Sequence, residues 1–263
     1  MLSKGSKIPT VFVGYDSREH DAYAVCKRTL QETSKATVIP LEHRDLRHRG
    51  LFDRPWQIEP DGTFKDIRDG RPFSTEFAHS RFLTPVYASK LGIEDDLVVF
   101  VDSDFLFKED INNLLDQIRS EGLTKTVWCV KHNFTPTKDR KMDNQHQQAY
   151  PCKLWSSLMV FNMEPFRVGP EQTYNLDFLV KYFNRQSGRF LHTFQWVTGE
   201  DQIGSIDEKW NFIPDHSEPR VKMKDASAIH FTHGVPTMCT GVRYYGEYLK
   251  VLDKLSTEEL IYK

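Results

Sequence analysis

Two carboxylates, Asp102 and Asp104, follow a run of five apolar residues, Leu97–Val101, with only Ser103 between them. The run is short and rich in β-branched and aromatic residues, so it predicts a fully buried strand of a parallel sheet. In open α/β sheets, ligands bind just beyond the carboxyl ends of the strands. Two acidic groups at such an end are placed to hold a hard divalent cation, because one carboxylate cannot compensate for the loss of the cation's water shell. Since Asp and Ser also favour turns, the alternative is a polar junction between strand and turn.

The composition is that of an ordinary soluble protein. The chain has 263 residues, of which 39% are hydrophobic and 27% charged, and its formal net charge is −2. This suits one large α/β domain and supplies enough apolar material for a full core. It excludes a global field that would recruit nucleic acid or an anionic membrane.

The cysteines and the hydropathy indicate the compartment. Four cysteines lie far apart and form no CxxC pair, which argues against a thiolate zinc site and fits a reducing environment. The first nine residues are too short and polar for a secretory signal. No apolar stretch approaches the roughly 20 residues needed to span a bilayer. The sequence therefore predicts a cytoplasmic protein without a membrane span.

The elements that would position the two carboxylates begin with a strand, a helix and a second strand. These are expected at Thr10–Tyr15, Arg18–Thr33 and Ala36–Leu41, from β-rich runs and from apolar residues at helical spacing. Doubly wound nucleotide-binding folds open in this way. Neither GxGxxG nor GxxxxGK[ST] is present, so a bound nucleotide would have to be held differently.

Further helices and strands complete the predicted pattern. Helices are expected at Phe77–Leu91, Ile111–Ile118, Tyr174–Asn184, Asp201–Ile206 and Val242–Leu255, and strands at Thr126–Lys131, Leu154–Met163 and Ala228–Thr232. The polar segments 43–75 and 133–151 are predicted to be long loops. The first carries a basic cluster that we interpret as a solvated or mobile face, with contact to phosphates or an acidic acceptor as the alternative: His43, Arg44, Arg47, His48, Arg49 and Arg54.

Several landmarks stand in a characteristic order along the chain. They are Gly14-Tyr15-Asp16, Ser80-Arg81-Phe82, Asp102-Ser103-Asp104, Trp155-Ser156-Ser157, Gly199-Glu200-Asp201-Gln202 and Ile229-His230-Phe231-Thr232-His233-Gly234. Together they resemble the motifs of GT-A glycosyltransferases and are most similar to the retaining group that includes glycogenin and bacterial lipopolysaccharide galactosyltransferases. Each motif alone is weak, because DxD occurs by chance in many proteins. The ordered set, from about residue 11 to residue 234, is strong.

The resemblance implies a fold and an activity. The fold would be a single GT-A, Rossmann-like α/β domain over residues 1–263, with a mixed, mostly parallel central sheet flanked by helices. Its nucleotide-sugar half would span about 8–132, and the half that closes the metal site and binds the acceptor about 150–263. The activity would be metal-dependent transfer of a hexose from a nucleoside diphosphate sugar, with a UDP-sugar favoured, to an acceptor hydroxyl with retention. The acceptor (saccharide, lipid-linked or protein) and the oligomeric state stay open.

The resemblance also assigns the cation site. Asp102 and Asp104 would bind Mn²⁺ or Mg²⁺ together with His230, which matches the histidine of the family's His-Phe-x-Gly motif. This chain has an extra residue in that motif, so His233 precedes Gly234, and which of His230 and His233 binds the metal stays open. The resemblance also places His233 and Gly234 at the donor. The glycine would let the backbone turn and close on the diphosphate. A satisfied core histidine is the alternative for His230.

Donor-binding residues follow from the same comparison. Ser103 would sit near the ribose, and Arg81 would reach the donor diphosphate or sugar. The nucleobase and ribose would face the end of the first strand: Gly14, Tyr15, Asp16 and Arg18. The donor sugar would be lined by the segment that replaces the family's Asn-Ala-Gly: Trp155, Ser156 and Ser157.

Asp201 and Gln202 match the Asp-Gln pair that would lie beside the reacting sugar carbon. The acidic residues there also suit the N-terminus of a helix, and Trp155 and Arg81 also suit a core and a helix surface. Three other functions remain open. They are an inverting transferase with Asp201 as base, a metal-dependent nucleotidyltransferase, and a non-catalytic sugar- or nucleotide-binding protein.

Overall fold

The structure is a computed structural model that describes residues 7–133, 152–167, 174–239 and 243–261. All but the first residue of the predicted 133–151 loop lies outside these ranges, as does the predicted start of the last helix at Val242.

The strands and helices alternate through most of the chain. The strands are β1 (Thr10–Gly14), β2 (Thr37–Leu41), β3 (Trp56–Ile58), β4 (Phe64–Asp66), β5 (Pro72–Phe73), β6 (Leu97–Val101), β7 (Phe105–Phe107), β8 (Val127–Cys129), β9 (Leu158–Asn162), β10 (Ile203–Ser205) and β11 (Ala228–His230). The helices are α1 (His20–Ser34), α2 (His43–His48), α3 (Thr84–Lys90), α4 (Asn112–Glu121), α5 (Leu176–Arg185), α6 (Gly188–His192) and α7 (Tyr245–Leu252). Short 3₁₀ turns include Ser80–Leu83, Trp155–Ser157, Glu200–Gln202 and Glu208–Asn211.

Six strands form the central sheet in the order β10-β8-β9-β6-β1-β2. β9 runs antiparallel to both of its neighbours, and the other pairings are parallel. The carboxyl ends of β1, β6 and β8 therefore meet at one edge of the sheet. The expected mixed, mostly parallel α/β sheet is confirmed.

Helices cover both faces of this sheet. In β6, Val98 and Phe100 pack on one face with residues of α3, α5 and α6, whereas Val99 and Val101 pack on the other face with residues of α1 and α4. All five β6 residues are buried, as a strand covered on both faces requires. The prediction of a fully buried strand before the two carboxylates is therefore confirmed.

A two-stranded sheet brings a late part of the chain to the carboxyl end of β6. β11 pairs antiparallel with β7, and His230 lies opposite Phe105 in their register. The backbone N–H of Phe231 donates to the carbonyl of Asp104 at 2.9 Å. This pairing joins residues more than 120 positions apart, and β7 was not among the predicted strands.

The helix predicted at Phe77–Leu91 is an α-helix only over Thr84–Lys90, after a 3₁₀ turn at Ser80–Leu83. Two further predicted elements have a different structure. The predicted helix Asp201–Ile206 is wrong, because a 3₁₀ turn ends at Gln202 and Ile203–Ser205 is an edge strand beside β8. The predicted strand from Leu154 begins only at Leu158, after a 3₁₀ turn. In both places apolar residues serve sheet packing, which a local pattern does not distinguish from a helix or a longer strand.

The predicted loop 43–75 contains α2 and the three-stranded sheet β3-β4-β5. Its basic cluster is not uniformly solvated, because the Arg54 side chain is only 1% exposed. Arg54 forms ion pairs with the buried Asp66 and the partly buried Asp69. The description of this cluster as a solvated face is therefore wrong at Arg54, where pairing offsets the loss of solvent.

None of the helices in the described ranges is both long and apolar enough to cross a membrane.

Gly14 has a packing role at the end of β1. A Cβ built on Gly14 would lie 2.5 Å from the buried ring of Phe77. We expect Gly14→Ala to lower the free energy of unfolding by about 1–3 kcal/mol, because the enclosed ring has to move. Gly246 is the matched control, since a Cβ there meets nothing within 4 Å, and Gly246→Ala should raise stability by up to about 1 kcal/mol. Urea denaturation measures both, and equal stability of Gly14→Ala and the unaltered protein would contradict the packing role.

Candidate functional site

Asp102 and Asp104 lie just past the carboxyl end of β6. The N–H of Asp102 donates to the carbonyl of Ser157 at 2.9 Å, which continues the β6–β9 ladder by one residue. The chain then turns through Ser103 into β7. β6 before the two carboxylates and β7 after them thus fix the backbone that carries them.

His230 joins these carboxylates from β11. A carboxylate oxygen of Asp102, one of Asp104 and a ring nitrogen of His230 all lie within 4.8 Å of one another. His230 Nε2 is 3.3 Å from Asp104 Oδ1, and its ring stacks on Phe105 with the ring centroids 4.4 Å apart. The predicted metal ligands are therefore neighbours in space.

Arg81 supplies positive charge beside Asp102. Its Nη1 is 2.7 Å from Asp102 Oδ1 and donates to the carbonyl of Ser156 at 3.0 Å. The guanidinium carbon lies 5.1 Å from the ring centroid of Phe77 and 5.2 Å from that of Phe100, so aromatic faces hold the group in place. Within the described part of the chain, Arg81 Nε is buried without a hydrogen bond. The side chain can therefore donate to one further oxygen.

A buried layer of acidic groups lies beneath the pair. Ser103 Oγ donates to Glu19 Oε2 at 3.1 Å, and Glu19 is only 3% exposed. Burial, with the charges of Asp16 and Asp104, raises the pKa of the Glu19 carboxyl well above its ordinary value. The charged form of Glu19 is thus disfavoured first by the loss of solvent and then by the neighbouring carboxylates.

These residues fit a divalent cation. Two carboxylates and one imidazole form a donor set that suits Mn²⁺, and carboxylates also suit Mg²⁺. His230 Nε2 is buried and makes no hydrogen bond to any described residue, although it faces Asp104. A buried imidazole nitrogen without a hydrogen bond, next to two carboxylates, is compatible with binding of such a cation.

Two other groups of His and acidic residues are compensated by arginine. Arg54 pairs with both carboxylates of the Asp66, Asp69 and His79 group. In the group formed by His132, Glu208 and His216, Arg220 binds both oxygens of Glu208 at 3.0 and 3.1 Å. The first of these groups also has a carboxylate that faces a histidine nitrogen, with Asp66 Oδ2 3.4 Å from His79 Nε2, but Arg54 pairs with both of its acidic residues.

The predicted sugar-lining segment lies next to this centre. Ser156 Oγ is 2.9 Å from Nδ1 of His192, and its carbonyl accepts from Arg81. Ser157 Oγ donates to the carbonyl of Leu154 at 2.7 Å. Trp155 is half-buried, and its Nε1 donates to the carbonyl of His132. Ser156 and Ser157 thus contact the residues that frame Asp102, while Trp155 packs farther along the same loop.

The end of β1 also reaches this edge of the sheet, but Asp16 is enclosed. Its carboxylate is fully buried and accepts from the backbone N–H, Nε and Nη2 of Arg18 and from the backbone N–H of Glu76. Tyr15 is also buried, and burial raises the pKa of its hydroxyl to about 12. Asp16 therefore positions Arg18, whose guanidinium lies over the ring of Phe64 and keeps partial exposure.

His233 and Gly234 lie in the turn after β11. The carbonyl of His233 accepts from Cys239 Sγ, and that of Gly234 accepts from the Tyr245 hydroxyl at 3.0 Å. Gly234 has a φ of +122°, which favours glycine at this position. The group that contains Asp102 and Asp104 includes His230 and not His233.

Asp201 and Gln202 are not brought to this centre. The N–H of Thr126 donates to the carbonyl of Gln202, and the N–H of Asn162 donates to the carbonyl of Thr126. Asn162 in turn lies opposite Leu97, at the start of β6. Asp102 lies five residues beyond Leu97 along β6, which corresponds to a distance of about 16 Å at roughly 3.3 Å per residue. The expected position beside the reacting carbon is therefore corrected, because β10 places this pair at the amino edge of the sheet.

Sequence reasoning missed two residues of the site. Glu19 lies at the start of α1, and Asn211 ends a 3₁₀ turn with its side chain 2.8 Å from His230 Nδ1. Neither residue belongs to a motif with regular spacing, and only the packing of α1 and β11 around β7 brings them here. No signal in the sequence alone identifies them.

Comparison with solved structures defines the class of fold. The chain superposes on the glycosyltransferase GlyE of Streptococcus pneumoniae with a TM-score of 0.57 and 10% identity, over 97% of this chain and 62% of GlyE. It also superposes on the galactosyltransferase LgtC, solved with donor and acceptor sugar analogues, with a TM-score of 0.51, 13% identity and coverage of 94% and 96%. A glycosyltransferase for the major capsid of PBCV-1 gives 0.50, 12% identity and coverage of 94% and 100%. The fold is that of GT-A-type glycosyltransferases.

A closer relative shows the family. Protein CDI of Arabidopsis thaliana is 38% identical over 232 residues, which are 86% of this chain and 78% of that protein. The chain therefore belongs to the protein CDI family. No protein-family model matches the chain.

The His79 group predicts a pH dependence of stability. Burial first, and then Arg54 and Arg81, lower the pKa of His79 well below its ordinary value. Below about pH 6.5 the unfolded chain binds more protons than the folded one, so the free energy of unfolding falls as the pH falls. We expect His79→Gln to reduce this slope by up to about 1.4 kcal/mol per pH unit.

The measurement is urea denaturation from about pH 5 to about pH 7.5, on either side of the ordinary histidine pKa of about 6.5. His48→Gln is the control, because His48 is exposed on α2 and its loss should leave the slope unchanged. Identical slopes in the two variants would show that His79 does not stay neutral in the folded protein.

Proposed function

We propose that this protein is a metal-dependent glycosyltransferase. It moves a hexose from a nucleoside diphosphate sugar, with a UDP-sugar favoured, to an acceptor hydroxyl. The observation that carries the proposal is the Asp102, Asp104 and His230 group at the carboxyl end of β6, within a GT-A-type fold. The fold alone would also suit a protein that has lost activity, but here both carboxylates and the histidine remain together.

The leaving diphosphate sets the demands on the site. Asp102, Asp104 and His230 would hold Mn²⁺ or Mg²⁺, which supplies Lewis-acid stabilisation of the charge that grows on the diphosphate. Arg81 has a buried Nε without a hydrogen bond to described residues and lies beside Asp102. Its guanidinium would stabilise negative charge that develops on the diphosphate through its fixed positive charge, while Nη1 keeps its ion pair with Asp102.

Transfer with retention needs no dedicated base, because the departing phosphate oxygen can take the acceptor proton. The inverting alternative uses Asp201 as base, and a base must come within hydrogen-bond reach of the proton it removes. Asp201 lies at the amino edge of the sheet, so its position disfavours that alternative. We therefore favour retention, with the acceptor left open among saccharide, lipid-linked and protein hydroxyls.

Asp104→Asn tests the cation site. The substitution keeps the side-chain shape but removes one of the two carboxylate charges, so Mn²⁺ affinity should fall at least tenfold, or about 1.4 kcal/mol. Donor hydrolysis should be lost across a panel of nucleotide sugars. Asp104 is a cleaner choice than Asp102, whose ion pair with the buried Arg81 makes Asp102→Asn destabilising as well. Isothermal titration with Mn²⁺ and a donor-hydrolysis assay give the two readouts.

Glu208→Gln is the matched control, because Glu208 belongs to another His and carboxylate group whose charge Arg220 already compensates. It should leave Mn²⁺ binding and hydrolysis unchanged. Full activity of Asp104→Asn, or full activity of the unaltered protein in excess chelator, would reject the metal-dependent mechanism.

Retention predicts the configuration of the product. An α-linked donor sugar should give an α-linked product, and the anomeric coupling in the proton NMR spectrum of the product decides this. Asp201→Asn should leave the configuration of the product unchanged and the rate within about threefold, since the Asp201 carboxylate lies about 16 Å from the site along the strands. A β-linked product, together with loss of activity in Asp201→Asn, would move the protein to the inverting group.

A further inference from the structure

Asn211 connects the candidate metal ligand His230 to the loop before β9. Asn211 is fully buried at the end of the Glu208–Asn211 turn. Its Nδ2 donates to Ser157 Oγ at 2.9 Å, and its Oδ1 is 2.8 Å from His230 Nδ1. The backbone fixes this arrangement, because His230 N–H donates to the Phe212 carbonyl at 2.8 Å. Both ends of the carboxamide thus have a defined partner.

The orientation of the Asn211 amide follows from proton counting. Ser157 Oγ donates its single proton to the carbonyl of Leu154 at 2.7 Å. Toward Asn211 the hydroxyl can then act only as an acceptor, so it requires the NH₂ end of the amide. The carbonyl end, Oδ1, must therefore face His230.

The tautomer of His230 follows from this orientation. An amide oxygen only accepts, so His230 Nδ1 must carry a proton and donate to Asn211 Oδ1. In the neutral ring the lone pair is then on Nε2, the nitrogen that lies 3.3 Å from Asp104 Oδ1 and makes no hydrogen bond within the described ranges. Stacking on Phe105 fixes the plane of the ring. The imidazole is therefore prepared to bind a cation through Nε2.

We infer that Asn211, oriented by Ser157, is a positioning residue that holds His230 with its proton on Nδ1 and its lone pair directed at the carboxylates. The inference rests on the proposed function, because the positioning of His230 matters when this histidine binds a cation, to which it must present a lone pair. It gives Ser157 a part in orienting a ligand, beyond the sugar-lining position predicted for it.

The experiment compares Asn211→Leu, which removes the acceptor at similar volume, with Asn211→Asp, which keeps an acceptor oxygen toward Nδ1. Asn184→Leu is the matched control. Asn184 is another buried asparagine with both ends bonded, and it lies at the end of α5, away from this site. All variants are studied as full chains, with folding checked by circular dichroism.

Two readouts are used on each protein. The first is the tautomer of His230 in metal-free protein carrying ¹⁵N-histidine, read from two-bond ¹H–¹⁵N correlations at about pH 9, well above the ordinary histidine pKa of about 6.5. The His230 signals are identified by their absence in His230→Gln. The second is Mn²⁺ affinity by isothermal titration.

The unaltered protein, Asn211→Asp and Asn184→Leu should all show His230 protonated on Nδ1. Asn211→Leu should show a mixture of tautomers or the Nε2-protonated form, with Mn²⁺ affinity about 10–100-fold below that of Asn184→Leu. If Asn211→Leu does not fold, the tautomer in the unaltered protein and the affinity retained by Asn211→Asp still decide the matter.

The inference is overturned if His230 in the unaltered protein is protonated on Nε2, or if Asn211→Leu leaves both its tautomer and its Mn²⁺ affinity unchanged. These outcomes are distinct from failure of the proposed function. An unaltered protein that binds no Mn²⁺ but keeps His230 protonated on Nδ1 would refute the metal site and leave the positioning by Asn211 intact.

Discussion

The concentration of negative charge at the carboxyl end of β6 is the constraint on which the site depends. Asp102 and Asp104 stand one residue apart, above the buried Glu19. Arg81 pairs with one oxygen of Asp102, and the His230 ring lies beside Asp104. Burial first, and then the charges of Asp16 and Asp104, raise the pKa of the Glu19 carboxyl. A divalent cation would bring positive charge to this point, and the proposed metal site rests on that arrangement.

The elements around β6 can be understood from this requirement. Pairing of β7 with β11 brings a histidine from late in the chain to Asp104, and the Ser80–Leu83 turn brings Arg81 to Asp102. Elsewhere the same residue types form groups that arginine neutralises, with Arg54 between Asp66 and Asp69 and Arg220 on Glu208. The Asp102 group also contains a carboxylate paired with arginine, because Arg81 lies on Asp102. What sets this group apart is its place at the carboxyl end of β6, where open α/β sheets bind ligands.

The solved glycosyltransferases share the fold of this chain at 10–13% identity, so the likeness lies in the arrangement of the sheet and not in most side chains. Asp201 and Gln202 precede an edge strand instead of entering the site, and Asp16 is enclosed by Arg18 and Glu76. These three residues therefore lie in surroundings other than those expected from motif position, whereas Asp102 and Asp104 stand at the carboxyl end of β6 as predicted.

The sequence by itself determined the buried β6 strand, the strand-helix-strand opening and the Asp102, Asp104 and His230 set, because each is encoded by local apolar periodicity or by an ordered motif. It did not determine β7, the small sheet within residues 43–75 or the strand at Ile203–Ser205, since these short segments are strands only through their partners. Sequence also could not reveal that Asp16 is sealed, that Arg54 is buried or that Asn211 meets His230. Those outcomes depend on contacts between residues up to about 130 positions apart. Only the tertiary packing, which excludes water from some polar groups and not from others, decides which of these groups are enclosed.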